Sequence, residues 1–310
     1  MPSPTPESGK RLQEMPAFSP VGSAPHDAAL VTLADAGTCQ WAAQAMAFDR
    51  PPVELTYASY LALDEVLTAQ RPRSDKHDEM LFIVVHQVYE LWFKQLLHEL
   101  AKLQQELGLG ATGHSLRTLR RSLMILKMAI AQMDVMETMT PTQFLSFRDS
   151  LGSGSGFQSA QFREIEAMLG RRDRRMFLHY AEGSAERELI RAAMTRPSVF
   201  DSLLQYLFIS GYPVPHDRLY RDVSSPVEPS AELQTVLSRV YADDGDAAHI
   251  CEALVDIDES MQEWRYRHVK MVERIIGDRS GTGGSTGAKY LRGTLFRPMF
   301  PDLWATRSHL

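Results

Sequence analysis

Cysteine is scarce. Cys39 and Cys251 are the two in 310 residues, and they form no CxxC pair, so neither a disulfide framework nor a redox dithiol is expected. Long apolar runs are missing as well. The most hydrophobic stretch, MLFIVVHQVYELWF from Met80 to Phe93, is broken by His86, Gln87 and Glu90. It falls short of the ~20 residues that a membrane-spanning helix needs. With no recognisable secretory leader, a reducing cytoplasmic setting without membrane association is expected. Positive charge is not in excess either: Lys+Arg 33 against Asp+Glu 39 leaves a net charge of −6, which does not favour a phosphate-rich polymer. No nucleic-acid partner is expected, and the basic cluster RRDRR at 171–175 reads as a solvated connector. Series of short Val/Ile-rich strands bounded by turns are also lacking.

What the chain does contain is helical periodicity. Six of its 17 prolines fall in the first 25 positions, where apolar periodicity is weak. Residues 1–50 therefore read as an arm or disordered tail, and 51–310 as a single large all-α domain. One long helix is expected from Glu79 to about Leu107 and a second from Leu116 to about Met139. Thr140, Pro141 and Gln143 then spell a helix start, with Thr140 as cap, proline in the first turn and Gln143 closing a capping box. The GSGSG run at 152–156 should stop that helix, and further helices are expected over 158–169, 184–194, 197–209 and 231–241. The last long helix is the most regular. Ile250, Leu254, Ile257, Met261, Trp264, His268, Met271 and Ile275 recur at alternating steps of four and three, one unbroken face. A long antiparallel helical core is the expected architecture.

A histidine stands inside that seam. Burying an imidazole where Leu, Ile or Met would otherwise sit costs free energy unless its nitrogens are satisfied. A hydrogen-bonded core residue would meet this need, and so would ligation to a haem iron. A structural zinc is disfavoured because no cluster of Cys, His or Asp at ligand spacing surrounds His268. The run GTGGSTG, residues 281–287, looks like a phosphate cradle but follows a helix and lacks a Gly-Lys-Ser/Thr ending. It reads either as a hinge or as a close-fitting loop in which Thr282 offers a hydroxyl. Upstream, Phe82, His86, Tyr89 and Phe93 share one helix face, either as a core stripe or as the wall of an aromatic pocket. Phe144 and Arg148 lie one turn apart, and Arg148 pairs either with Asp149 or with a ligand carboxylate. Tyr57 and Tyr60 present two phenols on one helical turn.

Taken together, LTYASYLALDEVLTAQ, HDEMLFIVVHQVYELWFKQLLHEL, FRDSLGSGSGFQSAQFREIE, WRYRHVKMVERIIG and GTGGSTGAKYL followed by FPDLW resemble the tryptophan 2,3-dioxygenase family from about residue 54 to 307. The resemblance implies an all-helical homotetramer whose core encloses haem b, active in the ferrous form. It implies cleavage of the indole C2–C3 bond of L-tryptophan with O2 to give N-formyl-L-kynurenine. By that resemblance His268 is the axial iron ligand, Ser155 lies against the haem, and His86 is the catalytic residue facing the indole N–H. Phe82, Phe144 and Gly156 would line the indole cavity, Arg148 would bind the carboxylate, and Thr282 would hold the amino-acid end. Tyr57, Tyr60 and Leu61 would reach a neighbouring subunit's pocket. Related readings are a same-fold oxygenase acting on a substituted tryptophan or alkylindole, and a haem-binding sensor without turnover.

Overall fold

Helix starts and stops carry local chemistry throughout the computed structural model, which describes residues 55–310 apart from 153, 155, 280, 282–287 and 294. The expected arm at 1–50 lies outside the described residues. The rest belongs to one compact unit, Asp49–Leu310. Helix α1, His77–Gly108, is 32 residues long and hence about 48 Å. In its first turn the carboxylate of Glu79 accepts the backbone N–H groups of Arg73 and Ser74, both at 2.8 Å, and pins the incoming loop. Its far end closes with Gly110 at φ +67°, a conformation open to glycine. There the N–H groups of Gly110 and Ala111 donate back to the carbonyls of Leu107 and Glu106. The chain thereby reverses into α2, Thr112–Ala131, which packs on α1.

The second long helix does not run unbroken to Met139 as expected. It ends at Ala131, and a separate turn follows at Met133–Met136. At the bend the Gln132 side chain donates to the carbonyl of Val85 on α1, at 2.7 Å. The capping box holds as expected: α3, Pro141–Phe147, begins with Thr140 N–H donating to Gln143 Oε1 at 2.8 Å. The α-helix gives way to a tighter 3₁₀ turn at Arg148–Leu151, one turn before the glycine run. Four serines then cap four helices: Ser159 caps α4 (Ala160–Leu169), Ser184 caps α5 (Ala185–Met194), Ser198 caps α6 (Val199–Ile209) and Ser230 caps α7 (Ala231–Asp243). Helix α8, Asp246–Ile276, spans 31 residues and packs on α2, so α2 lies between the two longest helices. Helix α9, Pro301–Thr306, returns against α7. Among the described residues there is no strand. Nor is any helix there long and apolar enough to cross a membrane.

The main core is aliphatic, with Leu100, Leu103 and Leu107 of α1 meeting Leu203 and Leu207 of α6 and Leu254 of α8 in one buried cluster. One carboxylate inside it is matched to three donors. Asp258 Oδ2, fully buried on α8, accepts the backbone N–H groups of Met299 and Phe300 and the indole N–H of Trp304. That single carboxylate anchors the segment leading into α9.

The RRDRR cluster is not the solvated connector that its charge suggests. Arg172 is buried, and its guanidinium donates to the carbonyls of Ala167, Arg171, Arg196 and Val223, so it ties loops together. Arg171 reaches Glu166 on α4 at 2.6 Å. Glu166 also accepts Arg163 at 2.7 Å and Arg265 of α8 at 2.8 Å. Burial alone would raise the pKa of this carboxyl, but the three arginines bring it down to about 2 from an ordinary 4.5. A depressed carboxylate adds stability above pH ~4.5 and loses it as pH falls toward ~2, here about 3 kcal/mol in all. Glu166→Gln should therefore destabilise the folded chain at neutral pH by about 3–5 kcal/mol, because buried arginines lose their counter-ion. Urea unfolding measured between about pH 3 and 6 should also show a shallower acid slope for the variant than for the parent. Equal slopes would remove Glu166 from the acid transition.

Candidate functional site

The seam on α8 changes character halfway along. Ile250, Leu254, Ile257 and Met261 are fully buried, whereas Trp264, His268 and Met271 are each partly accessible. His268 is nevertheless packed deeply enough that its pKa falls to about 4, through burial first and then the nearby His86 and Arg163. A side chain that is surrounded by protein and still accessible lines a hollow. At pH 7 this imidazole is neutral, with lone-pair nitrogen available. It stacks on Trp264 with ring centroids 5.0 Å apart and makes no hydrogen bond among the described residues.

His86, on α1, lies near enough to help lower the His268 pKa and is likewise packed deeply yet partly accessible. Burial also lowers its pKa, opposed by the Phe82 carbonyl and Glu90. Its Nδ1 lies 2.7 Å from the Phe82 carbonyl, an acceptor, so Nδ1 must carry the proton. That leaves Nε2 as a bare acceptor, directed at the start of the 3₁₀ turn Gly156–Gln158: a Cβ built on Gly156 would sit 3.9 Å from it. Phe82 packs on the His86 ring at 4.1 Å and on Phe144 and Phe147 at 5.8 and 5.7 Å. Met139, Phe144, Phe147 and Ile275 form a separate apolar cluster here, joined by Phe82 and Met271. One wall of the hollow is therefore flat and aromatic.

Aromatic contact also joins the two histidine helices. Tyr89 meets Phe93 at 5.9 Å, and Phe93 and Phe162 meet Trp264 at 6.4 and 4.5 Å. The Trp264 indole N–H is buried without an acceptor. Leaving such a donor unmet costs about 1–3 kcal/mol, so a bound group bringing an acceptor suits the site. Among the described residues no group of three or more His, Cys, Asp or Glu side chains gathers to hold a bare metal ion. A neutral imidazole with an open nitrogen, a flat apolar wall and an orphaned N–H fit a macrocyclic group that brings most of its metal's ligands with it.

The other expected site residues divide into four groups. Phe82, Phe144 and Gly156 are brought together around His86. Arg148, half-buried, follows directly on α3, the helix that carries Phe144. Tyr57 and Tyr60 lie on a four-residue turn capped by Thr56 and are 77% and 72% exposed, with Leu61 at 40%, so one chain alone does not bury them. Ser155 and Thr282 lie outside the described residues. Sequence reasoning assigned no site role to Phe147 or to the Trp264 N–H. Phe147 is three residues past Phe144 and could have been read from that spacing. An unmatched indole N–H leaves no trace in a sequence.

Comparison with known proteins agrees with this geometry. The chain matches the family model described as tryptophan 2,3-dioxygenase over residues 43–208 and 186–310. A tryptophan 2,3-dioxygenase of Anaeromyxobacter sp. (strain K) is 61% identical over 259 residues, covering 83% of this chain and 96% of the relative. Those of Herpetosiphon aurantiacus and Pseudomonas fluorescens are 53% and 40% identical, each across 83% of this chain and over 98% and 91% of their own lengths. With two imidazoles facing one aromatic hollow, and with matches of this extent, the chain belongs to the tryptophan 2,3-dioxygenase family.

Proposed function

We propose that this chain is a haem-dependent tryptophan 2,3-dioxygenase. It would open the indole ring of L-tryptophan at C2–C3, incorporate both atoms of O2 and release N-formyl-L-kynurenine in tryptophan catabolism. The observation that carries this reading is the pair of desolvated, neutral histidines from α1 and α8 at one aromatic-walled hollow. His268 is the residue that would hold the iron of haem b, with Ser155 beside the macrocycle. Once bound, ferrous haem supplies the activation of dioxygen.

The remaining chemistry falls to the chain's own side chains. Phe82 and Phe144 form the apolar wall against which a flat indole can lie. His86 Nε2, left bare by the Nδ1 bond to the Phe82 carbonyl, accepts the indole N–H and fixes the ring's rotation. Orientation is what this site must provide, because indole is already electron-rich at C3. Gly156 keeps the space opposite His86 free of side-chain atoms. Arg148 would grip the substrate carboxylate with a planar pair of N–H groups, and Thr282 would hold the ammonium end. Exposed Tyr57, Tyr60 and Leu61 would complete the pocket of a neighbouring copy in a homotetramer. The setting that suits these parts is cytoplasmic, with no nucleic-acid or membrane partner.

The purified, reduced protein should turn over L-tryptophan with O2, read as N-formylkynurenine absorbance. Product from a ring- or β-methylated tryptophan alone would move the assignment to a substituted indole. His268→Ala should lose the Soret band together with turnover, and an unaltered band would remove His268 from the iron. Arg148→Ala should raise KM for tryptophan by roughly ten- to a hundredfold, the loss of a charge-assisted contact. An unchanged KM would take Arg148 out of the site. Gly156→Val places methyl groups toward His86 Nε2. It should keep the helical circular-dichroism signal and shift Tm by less than about 4 °C. Tryptophan affinity should fall at least about tenfold, and an unaffected affinity would show that the indole does not lie against Gly156.

A further inference from the structure

On another part of the molecule, four segments converge on a cleft of about 360 Å³. They are the loop after α4 (Gly170 to Arg174), Pro226 and Val227 ahead of α7, Arg265 on α8, and the 297–301 stretch entering α9. Five of the lining residues are arginines: Arg171, Arg172, Arg174, Arg265 and Arg297. Such a concentration is unexpected in a chain with net charge −6. The acids available to offset it are largely committed. Asp173, the one acidic residue lining the cleft, is held by Arg175 through three bonds of 2.6 to 3.1 Å. Glu166, behind the floor, is shared among Arg163, Arg171 and Arg265. Arg174 and Arg297 are exposed at the rim and have no ion-pair partner among the described residues.

The walls are built rather than loose. Arg265, 4% exposed, donates to the Arg297 carbonyl at 3.1 Å while its other nitrogen grips Glu166. Asp258 fixes the N–H groups of Met299 and Phe300 on the same stretch. Arg172 ties the end of α4 to two further loops through the carbonyls of Ala167, Arg196 and Val223. A rigid floor of partly committed guanidinium groups and a rim of uncommitted ones is the arrangement that receives an anion with several oxygens. The volume is at the low end for ligand pockets, which restricts the guest to a compact molecule. We propose that this cleft is a binding site for a small, multiply charged oxyanion of the phosphate or polycarboxylate class, separate from the His86–His268 hollow.

Isothermal titration of the haem-loaded, full-length protein tests this, with inorganic phosphate in one arm and citrate in the other, each against chloride at matched ionic strength. Saturable binding of one anion per chain is expected in at least one arm, and the arm with the tighter Kd identifies the class. The double variant Arg174→Ala/Arg297→Ala removes two exposed side chains that make no ion pairs among the described residues. It should keep parental helix content and tryptophan turnover while weakening anion binding by roughly tenfold or more. Absence of saturable binding in both arms would overturn the proposal, as would equal affinity in the parent and the double variant. A third result would also overturn it: no anion bound, but Arg297→Glu disrupting the assembly, which would make the cleft a contact between copies.

Discussion

A neutral imidazole held in a protein interior without a hydrogen-bond partner is an unstable arrangement unless something else uses its lone pair, and among the described residues His268 is in that condition, with the site arranged around it. Ile250, Leu254, Ile257 and Met261, the first four residues of the α8 seam, are sealed in aliphatic core. That anchors the helix axis and leaves the next turns to emerge at the hollow. Desolvation then keeps His268 uncharged, so its nitrogen is presented as a base rather than as a cation. The same effect acts on His86 across the hollow, where a carbonyl one turn back accepts the Nδ1–H bond and so settles the tautomer.

The two histidine helices are held in register by contacts from the elements packed on them. Helix α2 lies between α1 and α8 and packs on both. Gln132 reaches the Val85 carbonyl one residue before His86. Glu166 links α4 to α8 through Arg265, three residues before His268. The aromatic series Tyr89, Phe93, Phe162 and Trp264 fills the space between α1 and α8 with rings, which pack rigidly at little entropic cost. A site that must orient a planar substrate gains from supports of this kind, since small displacements cost much of the rate.

The arginine cleft rests on the same support. Glu166 serves the helix junction and also leaves positive charge uncompensated on the far side of Arg171 and Arg265. One buried carboxylate among three guanidinium groups cannot neutralise them all. The surplus emerges where four segments meet, at a rim bearing two more arginines. Charge counted along the chain gave no hint of this, because RRDRR looks solvated until Arg172 is seen cross-linking carbonyls and Arg171 is seen turned inward.

Much of the molecule was legible before folding. The 4–3 seam, the Thr140–Gln143 capping box and the all-helical class are properties of spacing, which helix geometry converts directly into a shared face, whereas the roles expected of the two histidines came from the family resemblance. The break of α2 at Gln132 was not legible, since it involves a side chain finding a carbonyl on another helix. The same holds for the inward arginines, the orphaned Trp264 N–H and the tautomer of His86. Those depend on desolvation and on partners far apart in sequence, and both come into being when α1, α2, α4 and α8 pack. Residue types and their periods were thus set by the chain alone, whereas charge state, hydrogen-bond satisfaction and the shape of both cavities were decided by tertiary contact.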